Sequence, residues 1–438
     1  MSRQNEIHII GGGLAGTEAA FQAARRGLRV VLYEMRPGRM TEAHKTPHLA
    51  ELVCSNSLKS ESLTTGSGLL KAELLSLGSV LLAIAQEVRV PAGTALAVDR
   101  LKFSEKVEEA LLREANISVV REEMCKADPA RLTIVASGPL TSDSLCAWIE
   151  SFLGRDNLFF FDAISPIIDS TTIDCERTFF ASRYDKGDGP YLNCPFTEEE
   201  FNAFWEELAG AQVADCRDFE TGLFFEPCLP VEEVAARGRM SLAFGALKPV
   251  GLLDPHTDRV PYAVVQLRPE NVEKTMYGMV GFQTRLRIEE QKRVFRMIPG
   301  LERAEFLRYG SVHRNSFINS PACLTDTLQA KNSPSVFFAG QLSGVEGYVE
   351  SIGTGLLAGV NATRLATAED PLVPPPETAL GSLCRYLASP RSTPFQPMNF
   401  NFGLLPPLPG RVRVKLRRKE AMAFRAMKKI EEWRGMIV

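Results

Sequence analysis

The chain has 438 residues, of which 45% are hydrophobic and 24% are charged, a composition typical of a folded globular protein and not of a disordered one. Its length exceeds the size at which a single hydrophobic core usually stops growing, so we expect two domains. The net charge of −3 excludes a general electrostatic attraction to nucleic acid, and any such binding needs a local basic patch.

The nine cysteines are scattered along the chain in an odd number and without CxxC spacing. This pattern argues against a disulfide framework and against a structural zinc site, and we expect no metal. The N-terminus enters an apolar strand pattern by Ile7 without a basic segment and an apolar signal core, so we predict a cytoplasmic protein. The apolar residues 74–85 are too few to span a bilayer and are predicted to form one buried helix.

The first 34 residues predict a strand, a glycine turn, a helix and a second strand. Residues 6–10 are a short apolar run, residues 17–26 have helical character, and residues 28–33 are a second apolar run. This order is a βαβ unit, which predicts a parallel sheet.

Glycines occupy the turn of this unit with the spacing G-x-G-x-x-G, as Gly11, Gly13 and Gly16, which enclose Leu14 and Ala15. Absent side chains allow a tight turn and the close approach of a pyrophosphate, which the helix N-terminus then attracts. Glu34 follows Gly16 by 18 residues, where a carboxylate can accept hydrogen bonds from a ribose 2′-hydroxyl. We therefore predict a dinucleotide site, with a plain glycine turn as the less favoured interpretation.

A strand followed by glycine returns late in the chain. Residues 336–339 are a strand candidate that leads into Gly340 and Gln341, and a glycine-rich helix at 353–359 follows. The late segment favours FAD over NAD, because flavoproteins often return to the dinucleotide in this way. No second complete glycine motif follows a strand, so a built-in NAD domain is not expected.

Residues 161–309 alternate strand-like stretches such as 262–267 with charged helical ones such as 197–208. We predict an α/β fold in which a Rossmann-like FAD-binding domain of the glutathione-reductase type carries an inserted α/β domain. The FAD-binding domain is discontinuous, over residues 1–160 and 311–438, and the inserted substrate domain spans residues 161–310.

The C-terminal tail contains a local basic patch. Residues 411–429 include nine basic residues and one acid, Glu420, interleaved with apolar residues such as Met422 and Phe424. If this segment is helical, its charges can neutralise phosphates while its apolar positions dock on the protein body. A solvated helix face is an equally good interpretation. The candidate RNA-binding residues are Arg411, Arg413, Lys415, Arg417, Arg418 and Lys419.

A series of motifs in one order extends along nearly the whole chain, at residues 11–20, 53–58, 91–93, 98–100, 191–195, 248–252, 262–268, 313–315 and 344–348. In these motifs the chain resembles the folate- and FAD-dependent tRNA uracil-5-methyltransferases, which are small relatives of the GidA-type tRNA-modifying flavoproteins. The resemblance implies methylation of carbon 5 of a T-loop uridine in tRNA, with methylenetetrahydrofolate as one-carbon donor and FAD as bound cofactor. It also implies NADH or NADPH as the hydride source, and we expect neither a membrane nor an obligate protein partner.

Two cysteines are implied catalytic residues by their family positions. Carbon 5 of uracil becomes nucleophilic only after something adds to carbon 6, a task that suits a thiolate. The resemblance assigns this attack to Cys228, for which a buried structural cysteine is the alternative. Cys54 is the second thiol, and its sequence context leaves open whether it assists methylene transfer, acts as an acid or base, or itself attacks.

The other implied site residues are polar and aromatic. The family motif implies that His313, Arg314 and Asn315 belong to the folate site, where His313 contacts the pterin or relays a proton, and a hydrogen-bonded core histidine is the alternative. Tyr348 is assigned to the flavin, with a helix-packing tyrosine as an equal alternative. Three further functions stay open: the same chemistry on another RNA such as rRNA, a GidA-like modification of a wobble uridine, or a non-catalytic RNA-binding flavoprotein.

Overall fold

The computed structural model describes residues 5–41, 43–154, 157–183, 191–214, 229–269, 274, 276–390, 395, 397–410 and 412–437. Within these ranges the backbone alone is described at residues 159–164, 311–315 and 415. Two residues of the predicted sites, Cys228 and Arg411, lie outside the described residues.

The described strands are β1 (Glu6–Ile10), β2 (Arg29–Tyr33), β3 (Ser57–Ser60), β4 (Arg89–Val90), β5 (Ala95–Val98), β6 (Ile117–Val120), β7 (Thr133–Val135), β8 (Leu158–Ile164), β9 (Ile167–Asp169), β10 (Phe179–Ala181), β11 (Tyr191–Phe196), β12 (Ala263–Pro269), β13 (Met276–Met279), β14 (Phe306–Arg308), β15 (Ser311–Ile318), β16 (Gln329–Ala330) and β17 (Ser333–Phe338).

The described helices are α1 (Leu14–Ala24), α2 (Gly66–Ser76), α3 (Val80–Glu87), α4 (Arg100–Arg113), α5 (Asp143–Leu153), α6 (Glu198–Ala209), α7 (Val231–Ala236), α8 (Arg239–Phe244), α9 (Ile288–Phe295), α10 (Ser320–Cys323), α11 (Tyr348–Ala366), α12 (Ala379–Ala388) and α13 (Lys415–Arg434).

The first sheet has the strand order β16-β17-β7-β1-β2-β6. Strands β17, β7, β1, β2 and β6 run parallel, and only the edge strand β16 is antiparallel to its neighbour. Ile7 and Ile9 are fully buried on the face covered by α1, whereas Ile10 and Val135 belong to the core on the opposite face. The predicted parallel sheet and Rossmann-like fold are therefore confirmed.

A second sheet of six strands, β10-β11-β12-β13-β9-β14, is antiparallel throughout. Its core includes Phe201 and Phe204 of α6 and Phe295 of α9, all fully buried. Strands β8 and β15, which precede and follow this sheet along the chain, pair with each other as a separate antiparallel ribbon. The domain limits at residues 160 and 310 stay a prediction.

Helices α1 and α11 pack with their backbones in contact, because α11 places glycines against α1. A Cβ atom at Gly355 would lie 2.2 Å from the carbonyl oxygen of Ala15, and one at Gly359 would lie 2.6 Å from the carbonyl oxygen of Ala19. The glycine-rich pattern at 353–359 thus serves helix packing. This contact brings the late glycine segment to the N-terminus of α1.

The prediction of one helix over residues 74–85 is wrong. Helix α2 ends at Ser76, α3 begins at Val80, and the two are bent by 110°. Gly78 has a φ of 81°, and the Ser79 hydroxyl caps α3 by accepting the backbone N–H of Leu82, so the chain turns between them. In the described part of the chain no single helix is long and apolar enough to cross a membrane, and this bent pair passes by length and composition alone.

The C-terminal tail packs back on the first core through one side of α13. Met422, Ala426, Ile430 and Trp433 are buried there, at a spacing of three or four residues that places them on one helix face. The Ser76 hydroxyl at the end of α2 donates to Glu431 at 2.7 Å. The remaining faces of α13 are open to solvent.

Candidate active site: two connected clefts

The glycine turn is held by close backbone approaches. Gly11 has a φ of 107°. A Cβ atom there would lie 2.5 Å from the carbonyl oxygen of Ala136, the residue that follows the neighbouring strand β7. A Cβ atom at Gly16 would lie 1.9 Å from the carbonyl oxygen of Gly11. A Cβ atom added at Gly13 would have no neighbouring atom within 4 Å. Gly13 is the N-cap residue of α1, and no side chain caps this end of the helix. The helix N-terminus therefore presents open backbone N–H groups.

A cleft of about 990 Å³ lies over this turn, and we call it the first cleft. Eight of the nine predicted cofactor residues line it: Gly11, Gly13, Leu14, Ala15, Glu34, Gly340, Gln341 and Tyr348. The ninth, Gly16, does not line the cleft. It lies in α1 against Gly11, and its missing side chain allows the helix to approach the glycine turn closely. The structure thus brings the early and late glycine segments to one cavity.

The Glu34 carboxylate faces the first cleft and also accepts hydrogen bonds from neighbouring residues of the chain. Its carboxylate accepts the backbone N–H of Gly12 at 3.0 Å, and the backbone N–H and Nε of Arg36, each at 3.0 Å. Burial acts to raise the pKa of Glu34, but the hydrogen bonds and charge of Arg36 outweigh it and leave the pKa below its ordinary value. Glu34 is therefore ionised at neutral pH. Nη2 of Arg36 is a fourth donor to it, at 3.2 Å, so each carboxylate oxygen accepts two hydrogen bonds and a ribose hydroxyl would have to share or displace one of them.

Arg36 is a residue of the site that sequence analysis missed. Its side chain is 1% exposed and pairs with both Glu34 and Glu51, the latter at 3.2 Å. All three line the first cleft. The available signal was an arginine two positions after the acidic residue that ends the second strand.

The first cleft suits a dinucleotide such as FAD. Gly13 leaves open space where a side chain would stand, the N-terminus of α1 is uncapped, and a carboxylate lies at the end of β2. A Cβ atom at Gly340 would lie 2.8 Å from the Cβ of Ala15, so the late glycine permits the close approach that shapes this wall.

A second cleft, of about 1170 Å³, adjoins the first and shares Gln341 and Tyr348 with it. Residues 54, 55, 57–59 and 346–350 line it together with residues 165–167, 278–281, 283 and Arg308, several of which belong to β9, β13 and β14 of the second sheet. Cys54 is part of this lining and is partly exposed. A ligand in the first cleft can therefore reach the neighbourhood of a thiol.

Side chains from several elements hold the backbone at Cys54. The Tyr348 hydroxyl oxygen accepts the backbone N–H of Cys54 at 2.8 Å and that of Ser55 at 3.0 Å. Arg308 donates to the carbonyl oxygen of Cys54 at 3.1 Å. Burial raises the pKa of Tyr348, and Cys54 adds to the rise, so the phenol stays protonated. Tyr348 thus links the cofactor cleft to the thiol.

The other thiols are placed less favourably. Cys194 is fully buried, and burial raises its pKa, so it is a poor nucleophile. Cys384 is equally buried. In the part of the chain that the structure describes, no disulfide forms and no group of three or more His, Cys, Asp or Glu residues could hold a metal ion.

The folate candidates His313, Arg314 and Asn315 lie on β15, where the backbone alone is described. Strand β15 contacts the turn at 341–343. This turn begins at Gln341, the residue that lines both clefts. The backbone N–H of Ser316, the residue after the motif, donates at 2.7 Å to the carbonyl oxygen of Pro139, which lines the first cleft, so the strand passes this cleft directly after the motif. The attacking thiol predicted from the family, Cys228, lies outside the described residues.

The basic tail differs from its prediction in one respect. Arg413, Arg417 and Arg418 are exposed, and Lys419 lies 5.3 Å from the ring centre of Phe402. The predicted docking of the apolar positions is correct for Met422 but wrong for three others. Val414, directly before α13, and Leu416 and Phe424, on a face of α13 turned away from the core, are 56%, 55% and 76% exposed. The side chain of Lys415 is not described.

The chain resembles known proteins along nearly its whole length. The family described as "Glucose inhibited division protein A" matches residues 6–370. Proteins named methylenetetrahydrofolate–tRNA-(uracil-5-)-methyltransferase TrmFO from Moorella thermoacetica and Desulforudis audaxviator are 52% and 54% identical. The first match covers 97% of this chain and 97% of the relative, and the second covers 98% of each. The solved structure of Aquifex aeolicus GidA superposes with a TM-score of 0.71 at 18% identity, over 99% of this chain and 74% of that one.

The superposition shows that the fold is that of GidA. The family model over residues 6–370, together with the first cleft, defines the chain as an α/β flavoprotein of the GidA type. At more than half identity over nearly full length, the relation to the methyltransferases is far closer. The chain belongs to the TrmFO family.

Proposed function

We propose that this chain transfers the one-carbon unit of methylenetetrahydrofolate to carbon 5 of a uridine in tRNA and depends on bound FAD. The observation that carries the proposal is the 52–54% identity to methyltransferases of that name over nearly all of both chains. The geometry supports it, because a dinucleotide cleft opens at Gln341 and Tyr348 into a second cleft that contains Cys54. When bound, reduced FAD supplies the hydride that completes the methyl group.

The residues of the chain have distinct parts in this reaction. The Gly11–Gly13 turn and the N-terminus of α1 bind the pyrophosphate, and Glu34 accepts the ribose hydroxyls. The Cys228 thiolate adds to carbon 6 of uracil and makes carbon 5 nucleophilic, while Cys54 acts on the one-carbon unit or on a proton. The position of Cys54 beside Gln341, at the junction of the clefts, supports this division.

The finer parts of the proposal concern the substrates and the compartment. The target is a T-loop uridine, the folate pterin contacts the motif His313, Arg314 and Asn315, and NADH or NADPH reduces the flavin. We place the reaction in the cytoplasm without an obligate protein partner. The described cysteines support a reducing compartment, because no disulfide joins them.

The test is transfer of label from methylenetetrahydrofolate into unmodified tRNA by the purified yellow protein with NADH, followed by mapping of the labelled nucleotide. We expect label at carbon 5 of the T-loop uridine. Label in another RNA or at another uridine would retain the chemistry and correct the substrate. Absence of label from every RNA, with FAD bound, would refute the proposed reaction.

We also propose that the first turns of α13 bind tRNA phosphates. Arg417 and Arg418 are exposed there, and Lys419 contacts Phe402. Phe402 in turn lies 6.1 Å from the ring of Phe400, whose backbone N–H donates to Glu350 in the wall of the second cleft. The basic turns thus adjoin the chain segment that leads out of the cleft.

Neutralising these charges should weaken tRNA binding without slowing chemistry. For the double variant Arg417→Gln, Arg418→Gln we expect a higher Kd and a salt dependence of log Kd that is shallower by about one unit per lost phosphate contact. The kcat at saturating tRNA should be unchanged. Binding is measured at several salt concentrations against Arg113→Gln, an exposed arginine at the end of α4. An unaltered salt slope in the double variant would show that α13 does not contact the RNA.

A further inference from the structure

The segment that carries Cys54 has no regular secondary structure, and its backbone depends on side chains from elsewhere. Residues 51–56 lie between β2 and β3 without helix or strand. Arg100 of α4 donates to the carbonyl oxygen of Leu52 at 3.2 Å, and Tyr348 of α11 accepts from Cys54 and Ser55. These contacts come from elements packed on the first sheet. They hold one side of the segment.

The second sheet holds the other side. Arg308 ends β14 and extends its guanidinium to three backbone carbonyl oxygens, those of Val53 at 2.8 Å, Cys54 at 3.1 Å and Ser165 at 3.4 Å. The two nitrogens Nη1 and Nη2 thus bind consecutive carbonyl groups of the thiol segment. A guanidinium can do this because its donors diverge from one rigid plane, whereas a lysine ammonium is a single point.

A second link between the sheets lies two residues further on. Asn56 is fully buried, and its Nδ2 donates to the carbonyl oxygens of Val98 in β5 at 3.2 Å and Pro269 in β12 at 2.8 Å. Its Oδ1 accepts from Nε of Arg268 at 2.8 Å. The amide nitrogen therefore joins β5, of the three-stranded sheet β3-β5-β4, to β12 of the second sheet, and the amide oxygen is held by β12 as well. Breaking this arrangement would leave buried polar groups without partners.

We propose that Arg308, together with Asn56 and Arg268, forms an inter-sheet clasp that positions Cys54, and that Arg308 is a positioning residue for the methylation reaction. The clasp places the thiol segment against the wall of the second cleft that the second sheet supplies. The part concerning methylation rests on the proposed function, whereas the clasp itself does not.

The informative variant is Arg308→Lys, because it retains the positive charge and removes the planar guanidinium group with its two diverging donors. We expect kcat for methylation to fall roughly 10- to 100-fold, because misplacing a reacting group by about an ångström can reduce the rate by that much. The KM values for tRNA and methylenetetrahydrofolate should change little. The matched control is Arg296→Lys, since Arg296 donates Nε and Nη2 to the carbonyl oxygen of Ala304 in the same part of the fold and lines neither cleft.

A direct measure of Cys54 does not need the methylation assay. In native FAD-bound protein, the rate of Cys54 alkylation by iodoacetamide, followed by peptide mass spectrometry, should rise at least about threefold in Arg308→Lys, because a segment with fewer contacts opens more often. Arg268→Lys, which cannot reproduce the Nε contact to Asn56, should act in the same direction and serves if Arg308→Lys does not fold.

The outcomes separate the clasp from the proposed function. Faster Cys54 alkylation with lowered kcat supports the clasp, and faster alkylation in a protein that methylates no RNA supports the clasp while refuting the function. An alkylation rate equal to or below that of the unchanged protein in both variants overturns the clasp. An equal response of Arg296→Lys also overturns the clasp, whereas a normal kcat in Arg308→Lys overturns the role of Arg308 as a positioning residue for methylation.

Discussion

Replacement of Cys54 by alanine should lower the rate of tRNA methylation by roughly 10²- to 10⁴-fold, the contribution typical of one acid–base group, while FAD stays bound. The thiol lies in the second cleft beside Gln341 and Tyr348, so it is close to whatever leaves the first cleft. Its removal deletes one sulfur atom from a partly exposed position and creates no buried cavity. Single-turnover label transfer measures the rate, and the flavin absorbance measures the bound cofactor.

Cys125→Ala is the matched control, because Cys125 is exposed and lines neither cleft. It should retain full activity. If Cys54→Ala methylates at the normal rate, Cys54 has no chemical role, and its place at the junction of the clefts is structural. If both variants lose FAD, the experiment reports on folding, and the Tm of each protein shows this directly.

The identity of the attacking thiol needs a separate experiment on the unchanged protein. In RNA that contains 5-fluorouridine, a thiolate can add to carbon 6 and carbon 5 can accept the one-carbon unit, but fluorine cannot leave as the proton does. The sulfur–carbon bond therefore persists, and mass spectrometry of the trapped peptide identifies the cysteine. We expect Cys228. A peptide joined through Cys54 would reverse the two assignments.

The cofactor half of the site could be predicted from sequence because its signals are local. Gly11, Gly13 and Gly16 span six residues. Gly11 has a positive φ, and a Cβ atom at Gly16 would lie 1.9 Å from a carbonyl oxygen, so only glycine fits these two positions, whereas Gly13 leaves open space in the cleft. The strands on either side show the apolar runs of a buried parallel sheet. Gly340 was found in the same way, since it too follows a buried strand.

The second cleft has no comparable local signal. Arg268 reaches Asn56 across 212 positions and Arg308 reaches Cys54 across 254, and neither arginine differs in sequence from one that is simply exposed. The outward face of α13 was mispredicted for a related reason. Apolar residues were expected to dock, but only one face of a single helix can meet the core, and Leu416 and Phe424 lie on another.

The largest expected effect on stability follows from the contact between α1 and α11. In Gly355→Ala the new Cβ would lie 2.2 Å from the carbonyl oxygen and 2.7 Å from the Cα of Ala15, and both are backbone atoms. No side-chain movement relieves such overlap, so the helices must separate at a cost of about 1–3 kcal/mol or more. Because Ala15 and the residues before α11 also line the first cleft, we expect a lower Tm together with a loss of bound FAD.

The same helix supplies the control. A Cβ atom at Gly353 would meet only the side-chain carbons of Leu380 and Leu74, at 3.2 to 3.5 Å, which can shift by a few tenths of an ångström. Gly353→Ala adds the same methyl group and the same helix propensity, so it should keep both its Tm and its flavin. Equal behaviour of the two variants, by differential scanning fluorimetry and by flavin content, would mean that α11 does not shape the cofactor cleft through its contact with Ala15. A selective loss in Gly355→Ala would show that a helix far along the chain sets the width of the first cleft.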